Sequence, residues 1–270
     1  SIIGCNFNAI ASQPGFNAVL YNYDRPQTTV YSDPAFYAGG FQKGNVAGTA
    51  SGVTNIAFSI PGGDATVYGV GVDGSNFAMD YTGYFRRTYS YSTNKINFIP
   101  KLWHLTNTTS LLRYISTAPK TGIYKFDMTQ IDDGAMVFIG TAAYDCCKPG
   151  SVPEGSADDS VMFTYKAWNS QPDVTTIWVY FEEGSYYPIR IVYVNVITAA
   201  GIGLQVTPPN GSPVDIGSLV YQLENNDANV CKETTITQNY SKETTFISNV
   251  YDETKKFIPT HNIIECVNQT

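Results

Sequence analysis

Turn residues cut this chain into strand-length runs, and that rhythm restricts it to an all-β architecture. Asn17-Ala18-Val19-Leu20-Tyr21-Asn22-Tyr23 and Thr175-Thr176-Ile177-Trp178-Val179-Tyr180-Phe181 read as alternating strands. Between such runs stand Pro61-Gly62-Gly63, Asp73-Gly74, Pro149-Gly150 and Pro208-Pro209-Asn210-Gly211. No stretch keeps a 3.6-residue apolar period over a useful length, and no internal repeat is visible. The spacing predicts an antiparallel β-sandwich with little helix. A chain of 270 residues is long enough to bury a substantial core.

Composition narrows the partners. The formal net charge is −7, which disfavours phosphate backbones and anionic lipid. Charged residues make up only 14% of the chain, against 20 Tyr and 23 Gly, a balance that suits an extracellular β protein. Residues 189–206 are apolar, but Arg190, Asn195 and Gln205 interrupt them, and their β-branched side chains favour strands over a membrane span. Ser1 is not followed by a leader-type segment, which suits a mature product. Three sequons, at Asn107, Asn239 and Asn268, fit a secretory route, as does a weaker one at Asn210.

Cys5, Cys146, Cys147, Cys231 and Cys266 lack zinc-type spacing, so two disulfides and one leftover thiol are expected. Neighbouring Cys146 and Cys147 should reach different partners, clamping the middle of the chain to Cys5 near one end and to Cys231 or Cys266 near the other. Each long loop so closed would contribute roughly 4 kcal/mol on the chain-entropy model.

The pair Asp132-Asp133 carries the most chemistry. It lies between strand-like Tyr124-Lys125-Phe126-Asp127-Met128 and Ala135-Met136-Val137-Phe138-Ile139. Adjacent carboxylates at a strand end repel unless a cation sits between them, and oxygen-only ligation suits a hard ion such as Ca²⁺. A second pair, Asp158-Asp159, falls in a Gly/Ser/Pro-rich stretch and reads as a solvated loop. No Gly-x-Ser-x-Gly or phosphate loop is present, and His104 and His261 stand in no motif. Glu182-Glu183 with the Asp pair gives only a formal glycosidase set, because nothing fixes their separation.

Several blocks, in order, resemble the sugar-binding domain of the yeast flocculins and epithelial adhesins. They are Gly4-Cys5, Tyr31-Ser32-Asp33-Pro34-Ala35-Phe36-Tyr37, Thr121-Gly122-Ile123-Tyr124-Lys125-Phe126, Ile131-Asp132-Asp133-Gly134-Ala135, Asp145-Cys146-Cys147 and Tyr186-Tyr187-Pro188 running on to Asn195. The resemblance implies a protective-antigen-type, jelly-roll-like β-sandwich with large loops at one end, and a calcium-dependent lectin in place of an enzyme. It implies a cis peptide between Asp132 and Asp133, and a Ca²⁺ held by Asp132, Asp133, the Asn195 side chain and the carbonyls of Ile197 and Ala199. Vicinal sugar hydroxyls would complete a shell of about seven oxygens. Trp168, Thr198 and Ala200 are the further residues it places near sugar.

Two departures matter. Flocculins carry a Cys-rich insertion after the early strands, whereas residues 61–77 contain no cysteine. The second loop, residues 196–203, has no charge and no aromatic residue, which points to few hydrogen bonds with distal hydroxyls and to room for an acetamido methyl. The expected ligands are therefore terminal sugars of the N-acetylglucosamine, mannose or galactose type on cell-surface or cell-wall glycans. Residues 1–231 would form the lectin domain of a monomeric fungal cell-wall adhesin. Residues 232–270 would form an extension packed on the sandwich and leading to a stalk, with a lipid anchor beyond this chain. The alternatives are a glycoside hydrolase or carbohydrate-active accessory domain on the same fold, and an orphan adhesin whose ligand is unknown or that works by protein–protein contact.

Overall fold

The computed structural model describes residues 2–7, 11–22, 33–61, 65–72, 77–86, 122–144, 157–165, 174–181, 186–196, 199–209, 211–223, 235–237, 256–258 and 260–266. The early strands are β1 (Ile2–Phe7), β2 (Ala11–Pro14), β3 (Phe16–Asn22), β4 (Asn45–Val53), β5 (Phe58–Ile60), β6 (Ala65–Val67), β7 (Val70–Val72) and β8 (Phe77–Arg86). The middle of the chain gives β9 (Gly122–Asp132), β10 (Gly134–Ile139), β11 (Met162–Tyr165), β12 (Thr176–Phe181), β13 (Tyr186–Asn195) and β14 (Ala200–Thr207). The last are β15 (Val214–Asp215), β16 (Val220–Leu223), β17 (Thr235–Thr237), β18 (Lys256–Ile258) and β19 (Thr260–Cys266). One short helix, α1 (Pro34–Tyr37), is capped by Asp33, whose Oδ1 accepts from Ala35 N at 3.0 Å.

Among the described residues, eleven strands form a first sheet centred on β13, which pairs antiparallel with β8 on one side and β10 on the other. Six strands form a second sheet, running β15-β14-β9-β12-β18 with β5 added beside β14. The all-β, antiparallel sandwich expected from the turn spacing is the observed architecture. Two pairings are parallel: β1 with β19, and β12 with β18. Through them residues from 235 onward add strands to both sheets. Within the cysteine-free stretch after β5, β6 and β7 form a hairpin, and Val67 beside its turn is buried.

The core explains why the apolar run folds as strands. Tyr187, Ile189, Ile191 and Tyr193 of β13 meet Tyr124 and Phe126 of β9, Ile177 and Val179 of β12, and Ile202 and Leu204 of β14 between the sheets. The alternate residues Tyr186, Val192 and Val194 point the other way, under Phe36, Tyr37 and Phe41. β13 is thus buried on both faces, which is why it reads as continuous apolar sequence without clean alternation. Each large side chain so buried contributes about 1.5–3 kcal/mol. Arg190 is the exception. Its Nε and Nη2 donate to Asp80 Oδ1 and Oδ2 at 2.8 and 2.9 Å, and its guanidinium lies 5.5 Å from the Phe41 ring. That bidentate geometry compensates for burying two charges.

Candidate functional site

The chain crosses between the sheets twice at one rim of the sandwich, and the two crossings lie side by side. The first, Asp132-Asp133, joins β9 of the second sheet to β10 of the first. The second, residues 196–199, joins β13 of the first sheet to β14 of the second. Their flanking strands pair, because Gly134 is opposite Val194 and Gly201 is opposite Asp132. Asp133 N donates to Val194 O at 3.2 Å, closing the gap between the corners. The peptide bond between the two acids is cis.

This placement gathers oxygen donors. Asp132 and Asp133 are half-buried at the first corner, Asn195 is fully buried at the entry to the second, and half-buried Ala199 with buried Ala200 is at its exit. Asp133 Oδ2 accepts from Val196 N at 2.7 Å, which fixes the plane of that carboxylate and ties it to the strand carrying Asn195. The residues at these corners carry only oxygen donors, among them two carboxylates and a carboxamide, with two formal negative charges. That chemistry fits a hard divalent cation and not a soft one. Among the described residues, no group of three or more His, Cys, Asp or Glu side chains could hold a metal, so a cation here depends on the carboxamide and carbonyl oxygens as well as the two acids.

Behind the corners lies a layer that the sequence reading did not single out. Tyr193 has no exposed surface, and its ring meets Phe58 edge-on at 5.5 Å and Phe77 at 5.9 Å. Its hydroxyl donates to Asp132 O and accepts from Gly201 N, the latter at 3.0 Å. Phe58 belongs to β5, which flanks the start of β14 by pairing Ile60 with Ala200 and Phe58 with Ile202. The loop before β5 is held by Asp215. Its Oδ1 accepts from Ile56 N (3.1 Å) and Gly217 N (2.8 Å), and its Oδ2 from Ala57 N (3.3 Å). Burial raises the Asp215 carboxyl above its ordinary value, and the three amides oppose that shift. Gly217 lies so close to Thr54 that a Cβ would meet backbone atoms at 2.7–2.8 Å, so no larger residue fits beneath the loop.

The signal for Tyr193 was present but indirect. A buried Tyr hydroxyl needs a partner, and Tyr193 stands two residues before Asn195 on the same inward-facing row. Of the other expected site residues, Ile197, Thr198 and Trp168 lie outside the described residues, as do Cys146, Cys147 and Cys231. Cys5 and Cys266 fall on the paired strands β1 and β19, where Cys5 is opposite Ile264 and Cys266 is opposite Phe7. Asp158 and Asp159 are exposed in a 3₁₀ turn (Ala157–Asp159) that packs near α1.

Residues 113–208 match the family model described as the GLEYA domain. Flocculation protein FLO9 of Saccharomyces cerevisiae is 29% identical over 233 residues, covering 78% of this chain and 17% of its own length. Flocculation protein FLO10 of the same yeast is 27% identical over 243 residues, covering 78% of this chain and 21% of its own length. The chain therefore spans about a fifth of these curated relatives. Among solved structures, the epithelial adhesin 6 A domain of Candida glabrata, in complex with Galβ1-3GlcNAc, superposes with a TM-score of 0.61 at 23% identity over 84% of this chain and 94% of that one. The epithelial adhesin 9 A domain, in complex with Galβ1-4GlcNAc, gives 0.60 at 23% identity over 84% and 97%. These adhesin A domains share the fold.

Proposed function

We propose that this relative of the yeast flocculins, with its GLEYA domain and adhesin A-domain fold, binds glycans through a calcium ion held at the two inter-sheet corners. One observation carries the reading: adjacent crossings bring Asp132, Asp133, Asn195 and Ala199 to a single rim of the sandwich. In this reading Asp132 and Asp133 supply the charge, and Asn195 and the carbonyls of Ile197 and Ala199 supply neutral oxygens. When bound, Ca²⁺ offers open positions to vicinal hydroxyls of a terminal sugar.

The protein's own groups do the rest. The Val196 amide holds the Asp133 carboxylate in place, so little of its freedom is left to lose on binding. Asn195 is presented from a strand buried on both faces, a rigid support for a ligand. Trp168, Thr198 and Ala200 line the sugar in this reading. The second corner's sequence, without charge or aromatic residue, suits a terminal hexose or N-acetylhexosamine in this reading, and the galactose-containing glycans in the adhesin complexes make β-galactosides the first ligands to try. Residues 1–231 form the binding domain, and 232–270 an extension whose strands edge both sheets. In this reading the whole protein acts at a fungal cell surface as a binder without turnover, a role that the flocculin relatives support.

A glycan-array screen with Ca²⁺, repeated with EDTA, tests this. Binding to a terminal sugar that disappears with EDTA supports the proposal. Binding that survives EDTA moves the sugar site away from Asp132 and Asp133.

A further inference from the structure

The two corners belong to different stretches of chain, and Tyr193 touches the first at Asp132 and the strand leaving the second at Gly201. Its hydroxyl relays between Gly201 N, at the start of β14, and Asp132 O, at the end of β9. Its backbone belongs to β13, two residues before Asn195. Its ring is locked by Phe58 of β5 and Phe77 of β8, so the hydroxyl cannot swing away. Gly201 is buried, and a Tyr without its oxygen would strand that amide and loosen the Asp132 carbonyl together. Gly201 also faces Asp132 in the β9–β14 register, so loss of the relay acts on the rung that carries the first acid of the pair.

We propose that Tyr193 is a positioning residue: its hydroxyl ties the Asp132-Asp133 corner to the start of β14 at Gly201, beside Asn195 on its own strand, and so tunes cation affinity without touching the cation. The inference rests on the calcium reading above. Outer groups that orient metal ligands in this way typically change affinity by about 10–100-fold when removed. Tyr193→Phe deletes only the oxygen and keeps the ring contacts with Phe58 and Phe77.

The test pairs Tyr193→Phe with Tyr68→Phe. Tyr68 also has a hydroxyl bonded inside the protein, to Tyr81 OH at 3.0 Å and Ile56 O at 3.3 Å, but not at the corners. Two quantities are measured on the whole chain: Ca²⁺ affinity by calorimetry, and amide hydrogen exchange at Gly201 in the metal-free protein. The expected result is Ca²⁺ binding weakened at least about 10-fold in Tyr193→Phe, with Gly201 exchange faster by a similar factor. Tyr68→Phe should change thermal stability comparably and leave both readouts near wild type. Equal Ca²⁺ affinity in wild type and Tyr193→Phe, or unchanged Gly201 exchange, overturns the inference and leaves the calcium reading standing. A wild-type chain that takes up no Ca²⁺ overturns both.

Discussion

Asp133 has two tasks that a pair of substitutions separates. Its Oδ2 accepts from Val196 N at 2.7 Å, and Val196 is 3% exposed, so that amide has almost no access to water. Asp133→Ala strands the amide, whereas Asp133→Asn keeps an oxygen that can accept from it. Both remove the same charge and relieve the same repulsion from Asp132, so their difference isolates the hydrogen bond. A buried amide left unsatisfied costs about 1–3 kcal/mol. For a chain of this size that corresponds to a midpoint lower by roughly 2–12 °C in the alanine variant than in the asparagine variant. Thermal unfolding followed by circular dichroism, in EDTA, reads the difference. Both variants should also lose Ca²⁺ binding, since each leaves one carboxylate where the site uses two. Equal midpoints for Ala and Asn would refute the structural half of the reasoning. Full Ca²⁺ affinity in Asp133→Asn would refute the other half.

Three further outcomes are expected. Arg190→Met should destabilise the chain by about 3–5 kcal/mol in urea titration, because it leaves Asp80 buried without its bidentate partner, and adding Asp80→Leu should recover part of that; a loss below about 1 kcal/mol would contradict the burial of this pair. The Asp215 carboxyl is raised above 3.8 in the folded chain, so the folded state holds its proton more tightly. Its contribution to stability is full below pH 3.8 and is lost as pH rises through the raised value. Wild type compared with Asp215→Asn should therefore fare better at pH 4 than at pH 7 in denaturant titrations, and the opposite slope would show that the three amides outweigh burial. Ca²⁺ at about 100 times its dissociation constant should stabilise the wild type by about 2.7 kcal/mol, reversed by EDTA, and an unmoved midpoint would count against the site.

The strands were legible where one rule dominated. The runs 17–23 and 175–181 appear as strands Phe16–Asn22 and Thr176–Phe181; the first alternates because one side faces the core, whereas the second is buried almost throughout. The run from 189 to 206 was legible as β with a break after Asn195, but the loop expected over 196–203 is shorter, because residues 200–203 already belong to β14 in the other sheet. Asp132 and Asp133 stood out because charge at a strand junction is costly without a partner. Tyr193 did not, because a tyrosine among twenty carries no mark of which hydroxyl is used. The ion pair of Arg190 with Asp80 joins positions 110 residues apart, and the parallel seating of β19 beside β1 closes the two ends of the chain. Both depend on long-range register, which no local pattern encodes.

The most direct measurement is a crystal structure of the chain grown with Ca²⁺ and N-acetyllactosamine. The account predicts one ion within about 2.3–2.6 Å of oxygens from Asp132, Asp133 and Asn195, with two sugar hydroxyls completing its shell. A sugar bound elsewhere on the sandwich, or an ion absent from the rim formed by residues 132–133 and 195–199, would contradict it.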